Sequence, residues 1–366
     1  MTGFAARLTA QLPARDFATY HPLCDSCAGE LAVRLASTSF FKNNEFEGRF
    51  ADGFTGIGAF AKPVLAYQPS GATRLELGVL GRLYFGQDRV GLTLPIFRVQ
   101  QRLAPGLELV FGTLYGTLDH GLREPLYRFD RVYLDPLEYG LQFLLRRPRL
   151  RGDLWVDWRT FIERADPFQE EFDLGWVGDW AAVDAGAWRL RVPTQLLYRH
   201  KGGQVDRSPD PVLSVVNLAG GLALERRLPR GARLVVEPMA YRYLGLNLGE
   251  RGVNARPFDE GWGAYAQARY EGPRLGGTLG YWRAERFIAP RGELLFLSVS
   301  ESQPGFARAR RELLTGKLSW RRQVSPGVRL VARAEAYLAL GEAHFAHALG
   351  LYVLVDERFF VARLRR

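Results

Sequence analysis

The most constraining feature of the chain is a series of seven short turn signals at broadly even spacing, centred on Ser70, Pro105, Pro148, Ala185, Arg230, Pro273 and Pro326. Each lies between two stretches of about ten to fourteen residues in which apolar and polar side chains alternate, the pattern of a membrane-spanning β-hairpin. The connections at the other ends of these stretches are mostly longer and more polar. Short turns on one side and long loops on the other are typical of outer-membrane β-barrels.

Charged side chains occupy alternate positions of the predicted strands, so they lie on one face of each strand. Between residues 73 and 85, Leu75 and Leu77 alternate with Arg74, Glu76 and Arg82. An Arg that faced lipid near the bilayer midplane would cost about 2 to 4 kcal/mol. The charged parity must therefore face an enclosed interior, while the apolar parity faces hydrocarbon.

These stretches predict an all-β fold, a single closed antiparallel transmembrane β-barrel of about sixteen strands, within a range of fourteen to eighteen. We expect residues 1–29 to form an N-terminal periplasmic extension and residues 30–366 to form the barrel. The alternatives are a soluble propeller or a two-sheet sandwich, because both also repeat short strands. The turn spacing is close to that of propeller blades, but no blade motif recurs. No run of about eighteen uncharged apolar residues is present, so transmembrane helices are not expected.

Aromatic side chains are expected at outward positions near both ends of the strands, where they would form two interfacial girdles. The predicted girdle residues are Tyr67, Trp188 and Trp320 toward the short turns, and Tyr115, Trp158 and Tyr198 toward the long loops.

The overall charge and the two cysteines narrow the classes of partner and cofactor. The net charge of +10 comes from Arg spread along the strands, and without one basic tract we expect no nucleic-acid partner. Cys24 and Cys27 favour a local disulfide or an idle pair over a thioredoxin-like, haem or zinc site, and we expect no cofactor and no metal site. Residues 1–30 contain no apolar segment of signal-peptide length, so we expect a mature chain or an incorrect starting Met.

Twelve charged residues are predicted to line the lumen and to select solutes: Arg74, Arg82, Asp153, Asp157, Arg159, Arg189, Arg191, Arg199, Lys317, Arg321, Arg329 and Arg333. One interpretation is a water-filled pore whose guanidinium groups attract phosphate, carboxylate or sulfated solutes. The alternative is that these charges pair with carboxylates such as Glu76, Glu237 and Glu335 across a narrow, plugged lumen.

Two long loops carry unusual content. The loop of residues 118–136 mixes charged and aromatic residues, and we expect it either to fold into the mouth and constrict it or to dock a partner. The loop of residues 288–309 contains the apolar run Leu294 to Val299. Such a run is expected to pack on the lumen wall or on another protein.

Enzymatic motifs are weak, and we expect that the chain is not an enzyme. An outer-membrane lipase would need a His and a nucleophilic Ser side by side at the lipid-facing rim. His120 and His200 lie near loops, and His344 and His347 near the last strand, but no Ser has a G-x-S-x-G setting. An enzyme acting on lipid is therefore expected less than either a channel or a subunit of a larger envelope complex.

Five stretches of the chain resemble segments of a known protein family: Phe40 to Phe46, Phe111 to Gly116, Glu124 to Tyr127, Gly140 to Leu144, and Asp166 to Phe172. In these stretches the chain resembles an uncharacterised family of outer-membrane β-barrels from the Bacteroidota. The resemblance implies an exported, integral outer-membrane protein of porin-like shape, and it implies no activity and no catalytic residue.

The sequence thus predicts a porin-like passive channel for small polar or anionic solutes, integral to the outer membrane of a Gram-negative-type bacterium and in contact with its lipid. The alternative is a non-conducting barrel that serves as a subunit of an assembly, secretion or lipoprotein-handling complex, with its long loops contacting other outer-membrane or surface lipoprotein subunits.

Overall fold

Alternation of apolar and polar side chains along consecutive strands produces one closed antiparallel β-barrel in the computed structural model, which describes residues 14–203, 205–246 and 256–364. The first wall strand pairs with both the second and the last, so the sheet has no free edge. Closure matters because an open sheet edge would leave backbone donors and acceptors unpaired in hydrocarbon.

The strands, in chain order, are β1 (Glu30–Glu45), β2 (Phe54–Ser70), β3 (Thr73–Tyr84), β4 (Leu92–Ala104), β5 (Leu107–Thr113), β6 (Tyr139–Arg146), β7 (Leu150–Thr160), β8 (Glu171–Ala185), β9 (Trp188–Lys201), β10 (Leu213–Gly221), β11 (Ala223–Arg227), β12 (Arg233–Leu246), β13 (Glu260–Glu271), β14 (Leu275–Glu285), β15 (Arg310–Ser325), β16 (Val328–Ala339) and β17 (His344–Arg363). Two short helices are α1 (Ala14–Phe17) and α2 (Arg131–Leu134). Short 3₁₀ turns cover Asp25–Cys27, Thr117–His120, Pro229–Gly231 and Leu294–Phe296. In the described ranges, no helix is long and apolar enough to cross a membrane.

The predicted count of sixteen wall strands is confirmed. Both β10 and β11 pair with β9 on one side and with β12 on the other, so these two strands occupy one position in the wall. The first strand extends to Glu45 and the last to Arg363. Residues 1–13 of the predicted N-terminal extension and the last two residues of the barrel range lie outside the described residues.

The two faces of the wall have the predicted opposite character. Leu77, Leu279 and Leu318 are 64%, 72% and 69% exposed on the outer face, where lipid takes the place of water. Arg74 and Glu76, which alternate with Leu77, are buried inside. The charged parity therefore faces the lumen, as the cost of Arg in hydrocarbon requires.

The aromatic residues follow the prediction with one exception. Trp188, Trp320 and Trp158 are exposed on the outer face. Tyr115 is the exception, because β5 ends at Thr113 and the chain then turns into the lumen. There Tyr115 is buried, and its hydroxyl donates to Gln100 Oε1 at 2.9 Å.

The lumen is filled from both ends by segments that are not part of the wall. From the short-turn end, residues 14–23 enter the barrel, where Phe17 packs edge-on against Phe129 and Tyr352. From the long-loop end, residues 114–138 fold inward, and Thr19 donates to Asp119 Oδ2 at 2.6 Å where the two segments meet. Residues 14–23 of the predicted N-terminal extension thus pack inside the barrel, whereas Asp25, Ser26 and Ala28 are exposed.

The apolar run in the second long loop also packs into the barrel. Leu295, Phe296 and Leu297 are buried in a cluster that includes Trp282 and Tyr337 of the wall. The indole nitrogen of Trp282 donates to the carbonyl of Phe296 at 3.0 Å. This run therefore contacts the lumen wall, which was one of the two predicted outcomes.

One wall glycine generates a prediction about folding. Gly112 of β5 has φ +92°, and a Cβ there would overlap the carbonyl oxygen of Phe97 on β4. We expect Gly112→Ala to lower the free energy of unfolding by about 1 to 3 kcal/mol, the usual range for such backbone strain. Urea unfolding in lipid vesicles measures the change.

Gly316→Ala is the matched control, because a Cβ on Gly316 would have only a methyl of Leu279 nearby, at 3.8 Å. Equal stability of the two variants would contradict the assignment of strain to Gly112.

Candidate functional site

A serine and a histidine meet on the outer face of the wall at the long-loop rim. Antiparallel pairing of β9 with β10 places His200 directly opposite Ser214. Along β10, Val215 and Asn217 face the lumen, where Asn217 donates to the carbonyl of Ile288. Ser214 directly precedes Val215, so its side chain lies on the opposite face of the strand and projects outward. His200 projects outward for the same reason, alternating with Arg199.

The two side chains lie within hydrogen-bond distance. His200 Nδ1 is 2.9 Å from Ser214 Oγ, and the hydroxyl of Tyr198 is 3.3 Å from each of these atoms. Within the described ranges, no carboxylate contacts His200, so the pair forms a dyad without a third acidic member. A nucleophile with a base at this distance is the arrangement needed for covalent acyl transfer.

Aromatic rings surround the dyad on the outer face. The ring of Phe172 lies 5.2 Å from that of His200 and stacks on Trp158 at 5.4 Å, between centroids. Ser214 is only 4% exposed beneath these neighbours. The hydroxyl thus lies buried at the long-loop end of the wall, beside aromatic rings.

A second outward polar group lies on β1, β2 and β17 at the same rim. Asn43 donates to Glu45 Oε1 at 2.8 Å and accepts from Thr55 Oγ1 at 2.8 Å. His347 pairs in register with Glu45, and its ring stacks on Phe345. This group differs from the dyad because its histidine makes no described hydrogen bond to a hydroxyl.

His120 lies in the interior and has a different chemistry. Nδ1 is 2.8 Å from Asp153 Oδ2, Nε2 is 2.7 Å from Glu138 Oε2, and the ring stacks on Trp155 at 3.6 Å. Burial alone would lower the pKa of His120, but the two facing carboxylates raise it to about 10. With no exposed surface and both nitrogens occupied, His120 fixes the inserted loop to the wall.

Other ion pairs also anchor the inserted loops. Both guanidinium nitrogens Nε and Nη2 of Arg123 contact the carboxylate of Glu237 on β12, at 2.6 and 2.7 Å. Arg291, from the second loop, pairs with Asp173 of β8, and Lys317 of β15 pairs with Glu124. Buried charges of this kind are stable only when paired.

The twelve predicted lumen residues all face the interior, and each has a polar partner there. Arg74 donates to backbone carbonyls of the N-terminal segment, Arg82 to the carbonyl of Tyr133, and Asp153 accepts from His120. The other nine have ion-pair partners: Asp157 with Arg159, Arg189 with Asp184, Arg191 with Asp179, Arg199 with Glu171, Lys317 with Glu335, Arg321 and Arg329 with Asp16, and Arg333 with Glu335. Their predicted role in selecting solutes remains a prediction.

Sequence analysis missed Ser214 as a partner of His200. The signal was present, because both residues lie in the outward parity and flank the same long loop, one near the end of β9 and one near the start of β10. The register that places them opposite each other depends on how β9 and β10 pair across their connecting loop, which the alternation pattern alone does not fix.

The buried His120 cluster generates a prediction about pH. Because the pKa of His120 in the folded protein is raised to about 10, above its unfolded value of about 6.5, its contribution to stability is complete below about pH 6.5. This contribution is lost as the pH rises through about 10. We expect His120→Gln to lower the free energy of unfolding by about 3 to 5 kcal/mol at pH 6, since it leaves buried carboxylates without their cation.

Urea unfolding of wild type and His120→Gln at pH 6, 8 and 10 tests this prediction, with His347→Gln on the outer face as the matched control. The difference between wild type and His120→Gln should shrink as the pH rises. A constant difference over this range would contradict the assignment of the proton to His120.

Comparison with solved structures identifies the class of barrel. The chain is similar to the outer-membrane protein OprD of Pseudomonas aeruginosa, with a TM-score of 0.51, 11% identity, and 95% of this chain and 97% of that chain covered. It is equally similar to a loop-deleted OmpT of Vibrio cholerae, with a TM-score of 0.51, 11% identity, and coverage of 90% and 100%. OccAB1 of Acinetobacter baumannii gives a TM-score of 0.51, 8% identity, and coverage of 93% and 99%. The protein is therefore an integral outer-membrane β-barrel.

Comparison with protein families corrects one expectation. No curated protein matched the chain. A family model described as lipid A 3'-O-deacylase-type matches residues 23–364, a range that contains all the wall strands from β1 to β17. The expectation that the chain is not an enzyme is wrong, because the matched family is one of enzymes. From near the first strand to the end of the last, the chain belongs to the lipid A 3'-O-deacylase-type family.

Proposed function

We propose that the protein hydrolyses an ester-linked acyl chain of lipid A, at the 3'-O position that the family description names. The observation that carries this proposal is the 2.9 Å contact between Ser214 Oγ and His200 Nδ1 on the outer face of the wall. Lipid A lies in the outer leaflet of the outer membrane, so its ester bonds approach the barrel from outside, at the long-loop rim. The interior His120 is closed to such a substrate.

Each step of the reaction has a residue to perform it. His200 Nδ1 accepts the hydroxyl proton as Ser214 Oγ attacks the ester carbonyl, and the hydroxyl of Tyr198 is placed to donate to the oxygen that becomes negative. Collapse of the tetrahedral intermediate breaks the bond to the sugar oxygen, which takes the proton from His200. Water then cleaves the acyl-serine by the same route and releases a fatty acid.

The activity prediction uses the dyad and matched residues on the same face. Ser214→Ala and His200→Ala should each reduce deacylation by about 100-fold or more, since each removes a partner in proton transfer. Mass spectrometry of lipid A from cells that produce each variant measures the loss of one acyl chain.

Ser39→Ala and His347→Ala are the controls, because both residues lie on the outer face without a serine–histidine contact. Full activity of Ser214→Ala, or loss of activity only in His347→Ala, would overturn the assignment of the dyad.

The passive channel is the second candidate function. Its support is the fold shared with OprD and OccAB1, and a likeness at this identity concerns the fold alone. The inward-folded loops and paired lumen charges favour a closed interior instead. The third candidate, a subunit of a larger envelope complex, and the expected contacts with lipoprotein subunits stay predictions, as does an origin in the Bacteroidota.

Planar-bilayer recordings separate the first two candidates. We expect no steady ion current from the purified wild-type protein, because residues 14–23 and 114–138 meet inside the barrel. A steady, anion-preferring current that falls when Arg189, Arg191 and Arg199 are changed to Ala would support the channel.

A further inference from the structure

A cavity of about 220 Å³ lies inside the short-turn end of the barrel, far from the serine–histidine dyad. It is bounded by the inner faces of β1, β2, β3 and β17 and by the segment around the Cys24–Cys27 disulfide. Three guanidinium groups line it, those of Arg34, Arg74 and Arg358, against one carboxylate, that of Glu30. The cavity is therefore strongly positive.

Two of these three cations are neighbours, although Arg358 is exposed and also pairs with Glu30. Arg34 and Arg358 lie directly opposite each other in the β1–β17 register, and like charges in opposed positions destabilise a sheet. Arg34 Nε and Nη1 are inaccessible and have no hydrogen-bond partner among the residues that the structure describes. Inaccessible donors of a charged group normally have acceptors, so these two point to a missing one.

The single carboxylate does not supply that acceptor. Glu30 is already engaged by Arg358 and by Arg363, the latter at 2.5 Å. Arg74 is also engaged, since its two terminal nitrogens donate to the carbonyls of His21 and Pro22 at 3.1 and 2.8 Å. Arg34 is thus the group whose donors are left over.

The wall of the cavity on the N-terminal side is held in place by several bonds. Cys24 and Cys27 form a disulfide, and Gln68 Nε2 donates to the carbonyl of Cys24 at 2.5 Å. Asp25 pairs with Arg102 at 2.7 Å. These contacts fix the segment that covers the guanidinium groups, so the cavity is formed before any ligand enters.

We propose that this cavity binds a small oxyanion of phosphate or carboxylate chemistry, with Arg34 as the principal donor and Arg358 beside it. Guanidinium groups recognise both kinds of oxyanion through paired N–H donors. The site lies at the opposite end of the barrel from the dyad and does not depend on the deacylase proposal.

Calorimetric titration of the full-length protein in a neutral detergent at low ionic strength tests the proposal, with inorganic phosphate and succinate as the probes. We expect saturable binding of at least one probe to the wild type. Arg34→Gln should weaken it by about tenfold or more, as expected for loss of a charge-assisted pair. Tighter binding of phosphate would identify a phosphate ligand, and tighter binding of succinate a carboxylate.

Arg149→Gln is the matched control, because it removes the same charge from an exposed turn at the same end of the barrel and should change affinity less than about twofold. The bound probe should also raise the unfolding temperature of wild type but not of Arg34→Gln, and the heat-dependent gel shift of folded barrels confirms that Arg34→Gln is folded. No saturable binding to the wild type, or an equal loss in Arg149→Gln, would overturn the proposal and leave a cavity that holds only water.

Discussion

The structure depends on the cost of placing charge in hydrocarbon. Every second side chain of a wall strand meets lipid, so Arg, Asp and Glu residues near the bilayer midplane must project inward, and the strands must close on one another to satisfy their backbone groups. Closure through the β1–β17 pair follows from this constraint. The constraint also creates the central problem of the fold, because it collects a high density of charge in a narrow interior.

The protein solves that problem by pairing the charges and by filling the lumen with chain. Arg123, Arg291 and Glu124 belong to loops, yet each contacts an oppositely charged residue of the wall. His120 contacts Asp153 of the wall and also Glu138, which ends the inserted segment. Some of the lumen charges that first suggest a solute path therefore contact the inserted segments, as Arg74 and Arg82 do, whereas Arg189, Arg191 and Arg199 pair with carboxylates of the neighbouring wall strand. A pore and a sealed barrel have the same alternation pattern and differ only in where the loops lie.

The serine–histidine contact, by comparison, lies on the outer face of the wall. The rim there is the one part of a lipid-embedded wall where polar side chains can remain hydrated while apolar neighbours contact acyl chains. Ser214 and His200 lie at the long-loop end of the outer face, and the family to which the chain belongs is described as lipid A 3'-O-deacylase-type. The cavity at the short-turn end is separate from this contact, and it contains the Arg34 donors that have no partner among the described residues.

The sequence by itself determined the fold class, the wall count and the facing of residues such as Leu77 and Arg74, because a period of two along each strand is a local property that hydrocarbon enforces. It also determined that the run Leu294 to Val299 packs on another surface. Only the tertiary structure decided that Tyr115 turns inward, that His120 meets Asp153 and Glu138, and that Ser214 stands opposite His200. These contacts join residues from separate strands or loops, and their geometry depends on strand register and on the path of inserted segments, which alternation does not encode.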